Sequence, residues 1–211
     1  YAFVDFNRDL LLWMRMDDVN TSGDPTDLST YSNNASKVGT PTSSSGKFGN
    51  ALLFDSINDS VRVHDSSSLD VSGAFSISFW FKGSDAKYNQ FLTSKWDGVN
   101  NSQITWQATL ATGGVCNGTG FYISESGDAS DRVYVRKCNE HYQDGQWHQF
   151  IGTFEPGKDI QLYIDGNASG TTTVGNISTV TGVYQNNHDF YIGSRVADTY
   201  NGSIDEVLFI G

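Results

Sequence analysis

Apolar residues in this chain recur at every second position, in short runs broken by turn residues, and nowhere with the period of a helix. The segment Ser76-Ile77-Ser78-Phe79-Trp80-Phe81 puts Ile77, Phe79 and Phe81 on one side of a strand and Trp80 on the other, which predicts cover on both faces. Comparable runs lie at Leu10 to Met16, Ala51 to Phe54, Ser60 to His64, Gln90 to Thr93 and Gln103 to Ala108. Others lie at His148 to Phe154, Ile160 to Ile164, Phe190 to Gly193 and Ile204 to Ile210. Asn58-Asp59, Pro156-Gly157 and Asp165-Gly166 read as turns between them. About ten to twelve short strands with turn signals define an all-β fold, a two-sheet antiparallel β-sandwich or jelly roll. The polar stretch from Asp17 to Ser45, with Pro25 and Pro41, is expected to be mostly loop.

A length of 211 residues suits one such domain. Residues 1–9 read as a leading segment or linker and 10–211 as the domain. The chain opens on Tyr1 rather than Met, so it is expected to be part of a larger multidomain protein. Net charge is −11, from 24 acids against 13 bases, which leaves no basic footprint for nucleic acid. No run of about 18 apolar residues is present, so no helix of the chain inserts into a membrane. An acidic surface also repels anionic lipid headgroups.

Cys116 and Cys138 flank a hairpin built from Phe121-Tyr122-Ile123 and Arg132-Val133-Tyr134-Val135-Arg136. Folding it about the turn at Ser126 to Asp131 brings the cysteines opposite each other. They are then either a disulfide, which implies an oxidising compartment, or two free thiols that happen to be near. Asn-x-Ser/Thr sequons begin at Asn20, Asn34, Asn58, Asn100, Asn117, Asn167, Asn176 and Asn201. Chance gives roughly three, so the excess points to a glycosylated surface protein; the alternative is simple abundance of Asn and Ser.

Four ordered stretches resemble the laminin-G-like jelly roll of the concanavalin A-like lectin/glucanase superfamily. They are Gly46-Lys47-Phe48-Gly49-Asn50-Ala51-Leu52-Leu53-Phe54-Asp55, then Phe75 to Phe81. Asp144-Gly145-Gln146-Trp147-His148 with Leu162-Tyr163-Ile164-Asp165-Gly166 is third. Tyr191-Ile192-Gly193 with Gly202-Ser203-Ile204-Asp205-Glu206-Val207 is last. The resemblance runs from about Leu10 to Ile210. It implies that the first and last strands are neighbours, with Leu12-Trp13-Met14 beside Val207-Leu208-Phe209. Trp13, Trp80 and Trp147 are then expected in the core, and His148 is expected to pack and hydrogen-bond rather than catalyse. The resemblance also implies one structural calcium at the rim, with Asp18, Asp27, Asn34 and Asp205 at the matching positions; the alternative is solvated loop carboxylates.

Only Glu125, Glu140, Glu155 and Glu206 are Glu, and none forms the Glu-x-Asp-x-x-Glu strand of the superfamily's glucanases. Gln146-Trp147-His148 matches the Gln-x-His motif of lyases formally, but it falls in the ordinary turn-and-strand motif. Asp205 and Glu206, adjacent on a strand, are expected on opposite faces and so unable to act as a pair. The histidines His64, His141, His148 and His188 lack zinc-ligand spacing.

Sugar recognition calls for exposed aromatic faces among polar neighbours. Trp96 in Lys95-Trp96-Asp97-Gly98 is the foremost candidate, with Tyr88, Trp106, Tyr184 and Tyr200. The loops Asp85 to Ser102 and Thr181 to His188 are expected to carry specificity. The function expected is that of a non-catalytic, lectin-like module, extracellular or at the cell surface, attaching its parent protein to carbohydrate or a cell-surface protein. A structural spacer within a surface glycoprotein and a divergent polysaccharide hydrolase or lyase are the alternatives.

Overall fold

A computed structural model describes residues 7–83, 90–96, 104–111, 118–158, 160–168, 172–174, 180–195 and 198–211. Its strands, in chain order, are β1 Leu10–Met14, β2 Ala35–Val38, β3 Thr42–Ser45, β4 Asn50–Asp55, β5 Ser60–Val63 and β6 Phe75–Gly83. There follow β7 Gln90–Trp96, β8 Ile104–Ala111, β9 Gly118–Ile123, β10 Val133–Cys138, β11 His148–Phe154 and β12 Gln161–Ile164. The last are β13 Asn167–Ala168, β14 Thr172–Val174, β15 Phe190–Ile192, β16 Ser194–Arg195, β17 Asp198–Thr199 and β18 Asn201–Ile210. Among the described residues the helical content is one 3-10 turn, Ala129–Asp131.

Two antiparallel sheets form a sandwich. Sheet I runs β13-β12-β11-β6-β18-β4-β3, with β1 also on β18; sheet II runs β14-β10-β9-β8-β7-β15-β5-β2. The ends of the chain meet as expected, with Leu12 opposite Phe209, Trp13 opposite Leu208 and Met14 opposite Val207. Residues of the stretch read as loop supply β2 and β3, both at sheet edges. Their polar side chains hide the pattern, because an edge strand needs to bury little.

Alternation places the core. On β6, Ile77, Phe79 and Phe81 are fully buried, while Trp80 points outward and stays half-buried. Phe150 of β11 stacks on Phe79 at 4.8 Å within sheet I. Across the sandwich, Phe75 meets Trp106 and Phe121, and Trp106 stacks on Phe209 at 5.7 Å. Such offset and edge-on pairs fill a core at close to crystal density. The tryptophan expectation is therefore reversed. Trp106 lies in the core, whereas Trp13, Trp80 and Trp147 are half-buried and outside it. Each of the three has polar neighbours on its strand face or in its turn, and alternation alone could not say which face was inner.

The turn at Asp165-Gly166 has positive φ at both residues, 53° and 75°, the backbone of a tight two-residue hairpin. It joins β12 to β13, where Ile164 pairs with Asn167.

The final strand carries a bulge between Asp205 and Leu208, with Glu206 at φ 51°. Ile204 and Val207 on either side of it are core residues. Two positions thus separate successive inward side chains, and both carboxylates leave from the outer side of sheet I. Glu206 accepts a hydrogen bond from Trp13 Nε1 at 3.0 Å. Asp205 lies opposite Trp80 in register. The expectation of opposite faces fails because a bulge interrupts the period of two.

Candidate ligand-binding face

The inward residues of sheet II identify its outer face by exclusion. Val133 and Val135 of β10, Phe121 and Ile123 of β9, Trp106 and Ala108 of β8, Phe190 and Ile192 of β15, and Val61 and Val63 of β5 are all core. Their neighbours face outward. Register joins one residue from each of seven strands into a transverse row: Tyr134, Tyr122, Gln107, Ser94, Tyr191, Arg62 and Ser36. Adjacent members are separated by one strand spacing, about 4.8 Å. The centre of the row, Gln107 and Ser94, is buried, while Tyr134 at one end and Tyr191 and Arg62 at the other are half-buried.

At the first end, aromatic and guanidinium groups stack. Tyr122 and Tyr134 lie 5.0 Å apart between ring centroids. The Arg136 guanidinium sits 4.2 Å over Tyr134 and 5.3 Å over Tyr122, and its Nε donates to the Tyr122 hydroxyl at 2.8 Å. Arg132 also approaches the Tyr122 ring, at 6.0 Å. Cation–π contact and the phenol hydrogen bond hold these side chains in one geometry. At the second end, an open cavity of about 360 Å³ is lined by Val38, Ile57, Asn58, Arg62, Tyr191 and Thr199, among others. Burial, with Asp189's charge, pushes the Tyr191 hydroxyl above the usual phenol range, so it remains a hydrogen-bond donor. Arg62 stands 3.6 Å from Asp189.

The sequence contained a signal for this face. Arg132, Tyr134 and Arg136 fall at i, i+2 and i+4, a spacing that puts all three on one side of a strand. Tyr122 could be added only once the β9–β10 register was known.

The aromatic candidates fare differently. Trp96 is completely buried, edge-on to Phe91 at 6.1 Å in a small second cluster. Trp106 and Tyr200 are also buried, and burial pushes the Tyr200 phenol well above its usual range. None of these three offers a ring face to a sugar, which corrects the expectation for them. A polar sequence neighbourhood did not mean exposure, because Trp96 ends an ordered strand of sheet II. Tyr184 is half-buried, its ring against Gly127 and its carbonyl accepting from Thr105 Oγ1 at 2.8 Å. Tyr88 lies outside the described residues, as does most of the Asp85 to Ser102 loop.

The residues matched to calcium are divided between places. Asp27 and Asn34 are joined, with Asn34 Oδ1 accepting the Asp27 amide at 2.9 Å. The Asp27 carboxylate itself accepts from the amides of Trp13, Ser29 and Asn33 and from the Ser29 hydroxyl, at 2.6–2.9 Å. Asp18 pairs with Arg15 at 3.2 Å. Asp205 takes the amides of Lys47 and Phe48 at the β3–β4 hairpin. Among the described residues, no three His, Cys, Asp or Glu side chains gather in one place, so Asp18, Asp27 and Asp205 do not converge. The four do not fit one calcium cage, and each has a protein partner.

Of the sequon residues, Asn20, Asn34, Asn58 and Asn167 are exposed and Asn201 is half-buried. Asn100, Asn117 and Asn176 lie outside the described residues, as does Cys116. Cys138 ends β10 opposite Gly118. His148 is held between two carboxylates, Nδ1 at 2.8 Å from Asp165 and Nε2 at 3.1 Å from Asp144. The Gln146 amide, ahead of burial, holds the Asp144 carboxyl below its usual range. His148 also packs against Tyr142 and Phe81. This arrangement ties two turns to the start of β11.

A family model, Laminin_G_3, described as concanavalin A-like lectin/glucanases superfamily, matches residues 55–210. No curated protein matches the sequence. Among solved structures, the binding domain of Paraclostridial Mosquitocidal Protein 1 is similar with a TM-score of 0.74 at 17% identity. That match covers 98% of this chain and 49% of the other. Domain 4 of AbnA, a GH43 extracellular arabinanase from Geobacillus stearothermophilus solved with arabinotriose, has a TM-score of 0.73 at 19% identity, covering 96% and 92%. Botulinum neurotoxin type C, whose cell entry depends on two ganglioside molecules, has a TM-score of 0.69 at 15% identity, covering 98% and 48%. The chain thus spans about half the length of the toxin chains it resembles.

Proposed function

Because the chain belongs to the Laminin_G_3 family of the concanavalin A-like lectin/glucanases superfamily, we propose that it is a carbohydrate-binding module that attaches a larger extracellular protein to a glycan-bearing surface. The observation that carries this reading is one end of the outer row of sheet II, where half-buried Tyr134, Arg132 and Arg136 gather around the buried Tyr122 ring. Aromatic faces supply apolar contact for a sugar ring, and fixed donors orient its hydroxyls. The similar arabinanase domain solved with arabinotriose and the ganglioside-dependent toxin support the same ligand class. A disulfide between Cys138 and Cys116 belongs to this reading: Cys138 lies opposite Gly118, two residues beyond Cys116, and an oxidising compartment would preserve the bond. Exposed sequons at Asn20, Asn34, Asn58 and Asn167 fit a glycosylated surface protein. Glycan-array binding of the whole chain, repeated with Tyr134→Ala, tests the proposal. Binding that Tyr134→Ala abolishes supports it, and silence over plant, microbial and animal glycans would sink it. The burial of Trp96 favours the second reading, a spacer domain, which requires that silence.

A further inference from the structure

Resting on that reading, we propose that the Arg136–Tyr134–Tyr122 end of sheet II binds the acidic group, carboxylate or sulfate, of an anionic glycan. The first ground is a difference between Arg136 and six of the other basic side chains, each of which has an acid partner. In a chain with 24 acids and 13 bases, a basic group readily finds an internal acid. Arg8 pairs with Asp9, Arg15 with Asp17 and Asp18, and Arg62 with Asp189. Lys95 pairs with Asp65 and Asp70, Lys137 with Glu140, and Lys158 with Glu155. Arg136 has no carboxylate at ion-pair distance among the described residues. Its partners are the Tyr122 hydroxyl and two aromatic rings.

The second ground is that the nearby acids are engaged. The Asp131 carboxylate accepts from the Ser124 hydroxyl at 2.6 Å and the Ser126 amide at 2.9 Å. Asp128 caps the 3-10 turn by accepting the Ser130 amide at 2.7 Å. Glu140 is 4.0 Å from Lys137.

The third ground is preorganisation. With Nε used on Tyr122 and the guanidinium carbon 4.2 Å over Tyr134, the terminal nitrogens of Arg136 are left as a held fork. A guanidinium fork matches the two oxygens of a carboxylate or sulfate, and little side-chain freedom remains to be lost on binding. The half-exposed Tyr134 ring beside it supplies contact for the sugar that bears the acid. The surrounding negative charge of the molecule rejects other anions that lack this second contact.

The test uses the full chain, with Arg136→Gln and Arg136→Lys, titrated with sialyllactose and trigalacturonate as carboxylated probes. A heparin-derived tetrasaccharide is the sulfated probe, lactose and arabinotriose are the neutral ones, and poly-glutamate is the non-sugar polyanion. The acidic sugars are expected to bind at least about tenfold more tightly than the neutral ones, and Arg136→Gln to lose about tenfold or more, with Arg136→Lys between. Binding should weaken with salt, and a single cooperative thermal transition for each variant shows that the loss of binding is not a loss of fold. Preference for the carboxylated over the sulfated probes, or the reverse, supports the assignment and identifies the acid. Neutral sugars binding as well as acidic ones, or Arg136→Gln binding unchanged, overturns the inference and leaves the glycan-binding reading standing. Poly-glutamate binding as tightly as the acidic sugars also overturns it. No binding to any sugar overturns both.

Discussion

The Asp205 carboxylate, at the bulge of the last strand, accepts the amide of Phe48 at 3.0 Å, 157 positions earlier in the chain. The same oxygen accepts the amide of Lys47 at 2.8 Å. Asp17 takes the next free amide of that hairpin, from Asn50, at 2.7 Å. Two carboxylates therefore hold the β3–β4 hairpin against the outside of sheet I, where Lys47 lies 4.3 Å over the Trp80 ring and Phe48 meets its edge. Gly46 is required here, because a Cβ at that position would run into Asp205 Oδ2 and the hairpin backbone. Asp205 itself is fully buried, so this bond is structural rather than available to a ligand.

Burial, opposed by the hairpin amides and aided by Glu206, pushes the Asp205 carboxyl up to about 6. Between the unfolded value of 3.8 and 6 the folded chain keeps a proton that the unfolded chain has released. The group's contribution to stability is therefore greatest below about pH 4 and is lost as pH rises through 6, a loss of about 3 kcal/mol at most. Asp205→Asn removes the titration and keeps an acceptor for the amides. Urea unfolding of both proteins at pH 4, 5, 6 and 7 should show the parent losing ground to the variant as pH rises. A constant difference across that range would refute the assignment.

Asp27 is satisfied by four protein donors and ties its own loop to β1. Asp27→Ala is expected to destabilise the fold by about 2–4 kcal/mol, because buried amides lose a charged acceptor. Chelation with EDTA, in contrast, should leave the melting temperature of the parent within about 1 °C, since these donors already meet the carboxylate's needs. A large fall on chelation, restored by calcium, would count against this account.

Trp96 and Tyr134 should separate stability from binding. Trp96→Ala opens a cavity beside Phe91 and is expected to cost about 3–5 kcal/mol in denaturant unfolding. Tyr134→Ala, at a half-exposed position, should cost under about 1.5 kcal/mol yet remove glycan binding. The reverse pattern would return Trp96 to the ligand and remove the outer row from it.

His148→Ala is expected to destabilise by about 1–2 kcal/mol, since the Asp144 and Asp165 carboxylates lose their imidazole partner and Tyr142 loses a packing face. Glycan affinity should not change, because His148 belongs to sheet I and the proposed face to sheet II. Differential scanning calorimetry and a binding titration on the same sample check both statements.

The order of strands was largely legible because a half-buried strand needs alternation, and turns need Gly, Asn, Asp or Pro. The motif Gly46 to Asn50 and the motif Gly202 to Val207 could be recognised separately. That they form one clamp through Asp205 could not, because nothing local links positions so far apart. The edge strands β2 and β3 were missed for want of apolar residues. The candidate site was harder still. Trp96 looked exposed among polar neighbours, and Arg132, Tyr134 and Arg136 looked like an ordinary strand.

Readable before any coordinates were the all-β class, the sandwich, the adjacency of first and last strands, and the inner rows such as Ile77, Phe79 and Phe81. The all-β class and the inner rows follow from periodicity and turn chemistry, which act over a few residues at a time, whereas the adjacency of the end strands was implied by the family resemblance. Strand pairing was needed to learn that Trp106 is core while Trp80 is not, that Asp205 and Glu206 share a side, and that Tyr122 meets Arg136. Those outcomes depend on cross-strand register and on one extra residue in a bulge. A shift of one position exchanges the two faces of a strand, so no local pattern can fix them.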